Sequence, residues 1–251
     1  MNGNYRIITL CGSIEFRDAY ITKPRHRVKD HFKRTVMPLF LSLFLITLTF
    51  VSCDRCDKEE KTLILQPDSS EGIDAFIAAW SEENYSNRNF GTHVEFQASA
   101  WTSQHIPCFV RGLINFDLSP IPAHSKIIDA NLHLFTVDNT VNGPGHSTLS
   151  GPNDFILQRI TSDWDELSVS WNTQPATTTV NQVLVPSSDS TNQDYVIDIS
   201  DLVQDIVNNH MSRFGLMMRL DNESYFRRIL FASSDYKDPA KHPKLIVTYE
   251  Y

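Results

Sequence analysis

From residue 62 onward, apolar and polar positions alternate in short runs separated by Gly, Pro, Asn, Asp and Ser. In the segment 127–135, Ile128, Ala130, Leu132 and Leu134 fall on one side while Asp129, Asn131 and His133 fall on the other. That period of two predicts a half-buried strand in an antiparallel sheet. Comparable runs occupy 74–78, 94–98, 109–116, 155–160, 195–199, 215–220, 228–233 and 244–249. Many short strands at this spacing predict an all-β fold, a jelly-roll-like antiparallel β-sandwich. One helix interrupts them. Over 201–209, Leu202, Val203, Ile206 and Val207 make one apolar face, Ser200 stands ready to cap the start, and Asp201 suits the positive end of the macrodipole. Segments 139–153 and 186–192 read as loops.

The first sixty residues follow a different pattern. Lys33 and Arg34 precede an unbroken apolar run of sixteen residues, VMPLFLSLFLITLTFV, from Val36 to Val51. A spanning helix needs about 20 apolar residues and a secretory core about 7–15 behind a basic start, so a signal peptide is the expectation and a retained anchor helix the alternative. Cys53 follows Phe50, Val51 and Ser52 directly, and this ending resembles the lipobox of bacterial lipoproteins, with Phe50 where Leu is usual. Processing there would make Cys53 the acylated first residue of the mature chain, with the acyl groups holding a soluble domain on a membrane. Lys58, Glu59 and Glu60 resemble the acidic export signal of Bacteroidota surface lipoproteins, although a charged run after an anchor is more often just a solvated tether. The expected organisation is therefore 1–52 extension and signal peptide, 53–61 lipidated tether, and 62–251 sandwich. The expected location is the outer membrane, with the domain exposed at the cell surface. Residues 1–27 fit no part of a signal peptide, which points to translation starting near Val28.

Charge sharpens this division. The whole chain of 251 residues carries a net charge of −8. Residues 1–52 hold 8 basic and 3 acidic groups, leaving 14 basic and 27 acidic for the remainder. So acidic a domain lacks the clustered Lys and Arg that phosphate neutralisation requires, and a nucleic-acid partner is not expected. Hydrophobic content of 41% and charged content of 21% are those of a globular protein. With Cys53 acylated, only Cys56 and Cys108 would remain to pair in the mature chain.

Nine histidines show no zinc spacing, and no HExxH, Gly-x-Ser-x-Gly, P-loop, dinucleotide or EF-hand motif occurs. No cofactor is certain, and a structural calcium held by loop carboxylates stays open without nameable ligands. Asp163, Asp165 and Glu166 could mimic a glycosidase pair, although carboxylates beside a loop tryptophan are ordinarily solvated. Sugar recognition asks for aromatic rings to stack on pyranose faces and for cations or amides to meet carboxylates and hydroxyls. Tyr85 and Trp101 stand in polar, loop-like stretches and are the candidate platforms, with edge packing as the alternative. Trp164 and Trp171 read as core or rim packing, and Trp80 as either. Arg111, Arg219 and Arg227 are candidate cations for a basic groove, with salt bridging to Asp117, Asp198 or Asp221 as the competing role. Arg227 and Arg228 are adjacent, so only one of them can join a given face.

A series of ordered motifs resembles the DNRLRE domain, which overlaps carbohydrate-binding module family 96. The first half is carried by Asp74, Ala75 and Phe76, by Asn87 to Gly91 (NRNFG), and by Arg111 to Ser119 (RGLINFDLS). The second half is carried by Trp164 to Asn172 (WDELSVSWN), Ile197 to Val203 (IDISDLV), Phe214 to Leu216, and Pro243 to Tyr249 (PKLIVTY). Phe90 stands where Tyr is usual, and Ser170 where Thr is common. The resemblance implies a jelly-roll module on a secreted protein, with acidic polysaccharide such as alginate as the ligand type. It also implies that this chain, carrying no catalytic partner domain, is a non-catalytic capture protein. A structural or adhesion lipoprotein binding a protein partner, and a small lyase or hydrolase, are the competing expectations.

Overall fold

The computed structural model describes residues 59–80, 82–140, 143, 145–209 and 213–251. The signal peptide, Cys53, Cys56 and the start near Val28 lie outside these residues. Among these residues twelve strands run β1 (Glu60–Leu65), β2 (Ile73–Trp80), β3 (Glu95–Ser103), β4 (Ile106–Asn115), β5 (Lys126–Leu134), β6 (Ser147–Thr148), β7 (Phe155–Ile160), β8 (Thr177–Val185), β9 (Tyr195–Asp198), β10 (Leu216–Leu220), β11 (Arg227–Ala232) and β12 (Lys244–Glu250). Among the described residues a single α-helix, α1 (Ser200–Asn208), lies between β9 and β10.

Every pairing is antiparallel, and the strands form two layers of a jelly-roll-like β-sandwich. One sheet has the order β1-β12-β5-β9, and the other runs β6-β11-β3-β4-β10-β7-β8 with β2 on the free side of β4. The alternation read from the sequence positions the core. Leu63 and Leu65, Leu245 and Val247, Ala130, Leu132 and Leu134, and Ile197 face inward from the first sheet. Phe96, Ala98, Ala100, Phe155, Leu157, Leu216, Met218, Ile229 and Phe231 meet them from the second. Phe155, Tyr195 and Phe231 pack edge to face or tilted at 5.4–6.2 Å, arrangements that suit the ring quadrupoles.

Helix α1 buries Leu202, Val203, Ile206 and Val207 in the same core, each contributing roughly 1.5–3 kcal/mol by leaving water. Its start differs from expectation. Ser200 is already the first helical residue, and the capping acceptor is Asp198, whose carboxylate takes the Ser200 backbone N–H at 2.9 Å. The Ser200 hydroxyl instead accepts from the Ala130 backbone N–H at 2.9 Å, pinning the helix to β5.

Further differences have local causes. Ile128 is exposed and Ile127 takes its core position, because the β5–β12 register slips between Thr248 and Tyr249 and turns the strand start over. Three strands were not expected. β1 starts at Glu60, within the stretch read as tether, and pairs along β12. β8 is a Thr-rich edge strand whose residues are mostly exposed, so it shows no apolar alternation. β6 is only two residues long, inside the segment read as a loop.

The larger sheet bends sharply along β4. Its first half pairs with β3 through Ile106–Val110, and its second half with β10 through Gly112–Ile114. Val110 therefore faces the outside of the sandwich, whereas Ile114, on the same side of the same strand, enters the core. Gly112 is the pivot. A Cβ there would lie 2.4 Å from the buried Phe96 ring, so only a bare backbone permits the crossing.

Candidate functional site: an aromatic groove on the outer face of the larger sheet

The outward side chains of β2, β3, β4 and β11 line a groove of about 750 Å³, within the size range of ligand sites. Strand register builds it in rungs. Trp80 and Trp101 are both register partners of Cys108, one on each side of β4. The next rung on this face is Ala78, Val110, Ser99, Arg228 and Ser147, crossing five strands. Phe76, one rung deeper, stacks on Phe90 at 4.4 Å and meets the His93 ring edge-on at 5.0 Å. The wall on the β2 side comes from the 3-10 turn Glu82–Asn87 and the segment after it. There Tyr85 lies 4.5 Å from Trp80 and stacks toward Phe90 at 5.9 Å. Two bonds fix that wall, from the Asn89 side chain to the Glu166 and Val169 carbonyls at 2.6 and 2.9 Å. Gly91 sits so close to the Glu166 carbonyl that a Cβ would fall 2.1 Å from it.

The far end is set by Trp101, against which Phe226 stands edge-on at 5.3 Å. Phe226 holds φ +69°, a left-handed conformation that costs a bulky side chain about 1–2 kcal/mol. Its N–H donates to the Ala100 carbonyl at 2.8 Å, and the Ser147 hydroxyl donates to its carbonyl at 3.4 Å. Leu149, 74% exposed, forms the rim beside Ser147.

The groove combines apolar rings with neutral hydrogen-bonding groups, namely Gln97, Ser99, Thr102, Ser103 and Ser147. Among the described residues its lining holds one Lys or Arg, Arg228, which is only 8% exposed. The Arg228 Nε donates to the Gly145 carbonyl at 2.9 Å, its guanidinium stands 5.9 Å from the Trp101 ring, and Glu95 supplies the countercharge. Burial pushes the Arg228 pKa down and the Cys108 thiol up, so the thiol on the groove floor stays protonated at neutral pH.

The structure thus brings Tyr85 and Trp101 together in one groove, joined by Trp80. It does not bring the arginines with them. Arg111 projects from the opposite side of β4, where Nε and Nη2 grip Glu223 at 2.9 and 3.0 Å. Its Nη1 donates to Gln174 at 3.0 Å, and the guanidinium lies over Trp171 at 4.6 Å. Trp164 and Trp171 pack there on a second apolar cluster containing Ala75, Ile77, Leu113 and Met217. Arg219 sits on β10 opposite Ile156 and does not line the groove. Arg227 points away from it, over Gly151, with weak 3.4 Å bonds to Ser150.

Sequence reasoning missed Phe76, Phe90, Gln97 and Ser99. The signal for Gln97 and Ser99 was present in β3, where Ala98 and Ala100 alternate with Gln97, Ser99 and Trp101, which puts the polar residues on the tryptophan's face.

Among the described residues three carboxylates are raised, and burial lifts Asp235 among them. Asp74 is pushed to about 6 by burial, opposed by its bonds to Ser234, and Glu166 to about 7 by burial and by the charges of Asp74, Asp235 and Asp165. Asp74 and Glu166 serve the scaffold. The Glu166 carboxylate accepts from the Asp74 N–H at 2.9 Å and Asp74 from the Ser234 N–H at 2.9 Å, and neither lines the groove. Among the described residues no group of three or more His, Cys, Asp or Glu side chains converges as a metal site.

A rigid antiparallel sandwich presenting a sheet-face groove of aromatic rings and neutral polar groups has the form of a sugar-binding module. Comparison with known families is consistent with that form. The chain belongs to carbohydrate-binding module family 96, whose profile matches residues 69–249 and so takes in the whole groove. Compared with curated proteins, the chain matches none.

Proposed function

We propose that this protein is an outer-membrane lipoprotein, anchored through Cys53 and exposed at the cell surface, whose sandwich captures an extracellular polysaccharide without cleaving it. The observation that carries this reading is the groove itself: Trp80, Tyr85 and Trp101 converge with neutral hydrogen-bonding groups inside the span of a carbohydrate-binding family. A non-catalytic role is supported by the placement of Asp74 and Glu166, whose raised carboxylates hold backbone N–H groups behind the groove wall. The anchor is supported by the basic flank, the apolar run and the Ser52–Cys53 ending.

Two measurements test it. The full chain in detergent, applied to a glycan array, is expected to retain one class of polysaccharide and to leave its length unchanged; release of shortened chains would replace capture with cleavage. Labelling with radioactive palmitate in a bacterial host is expected to mark the wild type and to fail for Cys53→Ala. Labelling of both, or of neither, would remove the anchor from the account.

A further inference from the structure

We infer that the groove selects an uncharged glycan chain, laid across the strands between Trp80 and Trp101. This inference rests on the capture reading and specifies its ligand. Three observations carry it.

The first is spacing. Trp80 and Trp101 flank Cys108 on neighbouring strands of one face, which sets their backbones about 10 Å apart, two strand spacings. That gap is wider than a single pyranose ring, so the two platforms engage separate sugars of one chain. The chain then crosses β2, β4 and β3, with Gln97, Ser99, Thr102 and Ser103 beside it to meet hydroxyls.

The second is charge. A uronate or sulfate buried in this groove requires a cation able to pair with it, because an unpaired buried charge is strongly disfavoured. Arg228 is already engaged by the Gly145 carbonyl, the Trp101 ring and the charge of Glu95. Arg88 lies over the Tyr85 ring at 4.1 Å and is not part of the lining. Arg111, Arg219 and Arg227 are elsewhere. The acidic ligand implied by family resemblance would therefore meet no uncommitted cation among the described lining residues, in a domain that is itself strongly acidic.

The third is strain. Phe226 keeps a left-handed backbone that is strained for a bulky residue. What the conformation does accomplish is to stand the ring edge-on against Trp101 at 5.3 Å and fix the second platform. A glycine at 226 adopts the same backbone without steric strain, so Phe226→Gly removes the ring that supports Trp101 and leaves the turn itself in place.

The test is biolayer interferometry on the immobilised full chain in detergent. The probes are neutral oligosaccharides (cello-, xylo-, manno- and malto-series) and acidic ones (oligomannuronate and oligogalacturonate). The inference expects a neutral series to bind, with affinity unchanged between about 0.01 and 0.15 M salt. Affinity should weaken about tenfold in Trp101→Ala and measurably in Phe226→Gly, with both variants folded by circular dichroism at the binding temperature. Preferential binding of an acidic series that weakens with salt would overturn the neutral ligand and leave capture standing. Neutral binding indifferent to both variants would overturn the groove as its site. Absence of binding to every probe would overturn the capture reading together with this inference.

Discussion

Arg111 is the residue at which a binding role and a structural role make opposite predictions. Replacing it with Ala removes a bidentate contact to Glu223 at 2.9 and 3.0 Å, a bond to Gln174 at 3.0 Å and a stacked guanidinium 4.6 Å from Trp171. Charge-assisted bonds contribute about 1.5–3 kcal/mol each, and the ring contact about 0.5–1. The two charged side chains are 21% and 23% exposed, so solvent screens part of the gain and also eases the isolation of Glu223 afterwards. The net expectation is a loss of about 3 kcal/mol, or roughly 6–12 °C in melting temperature for a domain of this size. Glycan binding should be unchanged, because Arg111 lies on the reverse of the sheet from the groove. Differential scanning calorimetry paired with interferometry reads both quantities on one preparation. The Arg111→Ala/Glu223→Ala double variant should lose less than the sum of the single variants, since each side chain is the other's partner. An Arg111→Ala protein that melts like wild type but no longer binds glycan would refute the structural assignment.

Other expectations follow from the same geometry. Gly112→Ala places a Cβ 2.4 Å from a Phe96 ring that is 1% exposed, and chemical denaturation should show a loss of about 2–3 kcal/mol; an unchanged midpoint would contradict the pivot. Glu166 holds its proton up to about pH 7 in the fold, whereas in the unfolded chain a glutamate releases it near its ordinary value of 4.5. The native state therefore binds more protons than the unfolded state through this window, and wild-type stability from this group declines as pH rises from 5 to 8. Glu166→Gln keeps an oxygen for the Asp74 N–H and should match wild type near pH 5. At pH 8 it should exceed wild type by about 1–2 kcal/mol, a figure reduced for the exposed part of the side chain. Parallel stability curves for the two proteins would show that Glu166 is not proton-linked. His146 donates from Nε2 to the Gln193 carbonyl at 2.8 Å and accepts at Nδ1 from the Leu230 N–H at 3.0 Å. Burial lowers its pKa, so its contribution should fade as pH drops below about 6.5, visible in His146→Gln as a flatter acid limb.

The strands that bury one face, such as β5 and β12, were legible because alternation is the direct consequence of a half-buried pleat. β8 was not, since an edge strand of Thr, Val, Asn and Gln with both faces largely in solvent carries no apolar period. The slip at Ile127 and Ile128 was invisible for a related reason, as two adjacent isoleucines satisfy either register until β12 selects one. Tyr85 and Trp101 could be picked out as aromatics in polar surroundings. Their union through Trp80 and Phe90 depends on β2 pairing with β4 on the side away from β3, which local sequence does not encode. The arginines show the same limit. Period two along β4 puts Arg111 on the face opposite Val110, but it does not reveal that this face is roofed by Trp164 and Trp171. Between Arg227 and Arg228, adjacency required that one be excluded, and only the pairing of Arg228 with Ser99 decides which one reaches the groove.

The central claim is that sugar lies in the groove on the outer face of β2, β3, β4 and β11. Its most direct test is hydroxyl-radical footprinting of the full chain, read residue by residue by mass spectrometry, with and without the best-retained oligosaccharide. The account predicts protection of Trp80, Tyr85, Trp101 and Leu149, with Trp164 and Trp171 unaffected. Protection centred on Trp164 and Trp171, with Trp80 and Trp101 labelled as in the free protein, would place the ligand on the opposite face and contradict it.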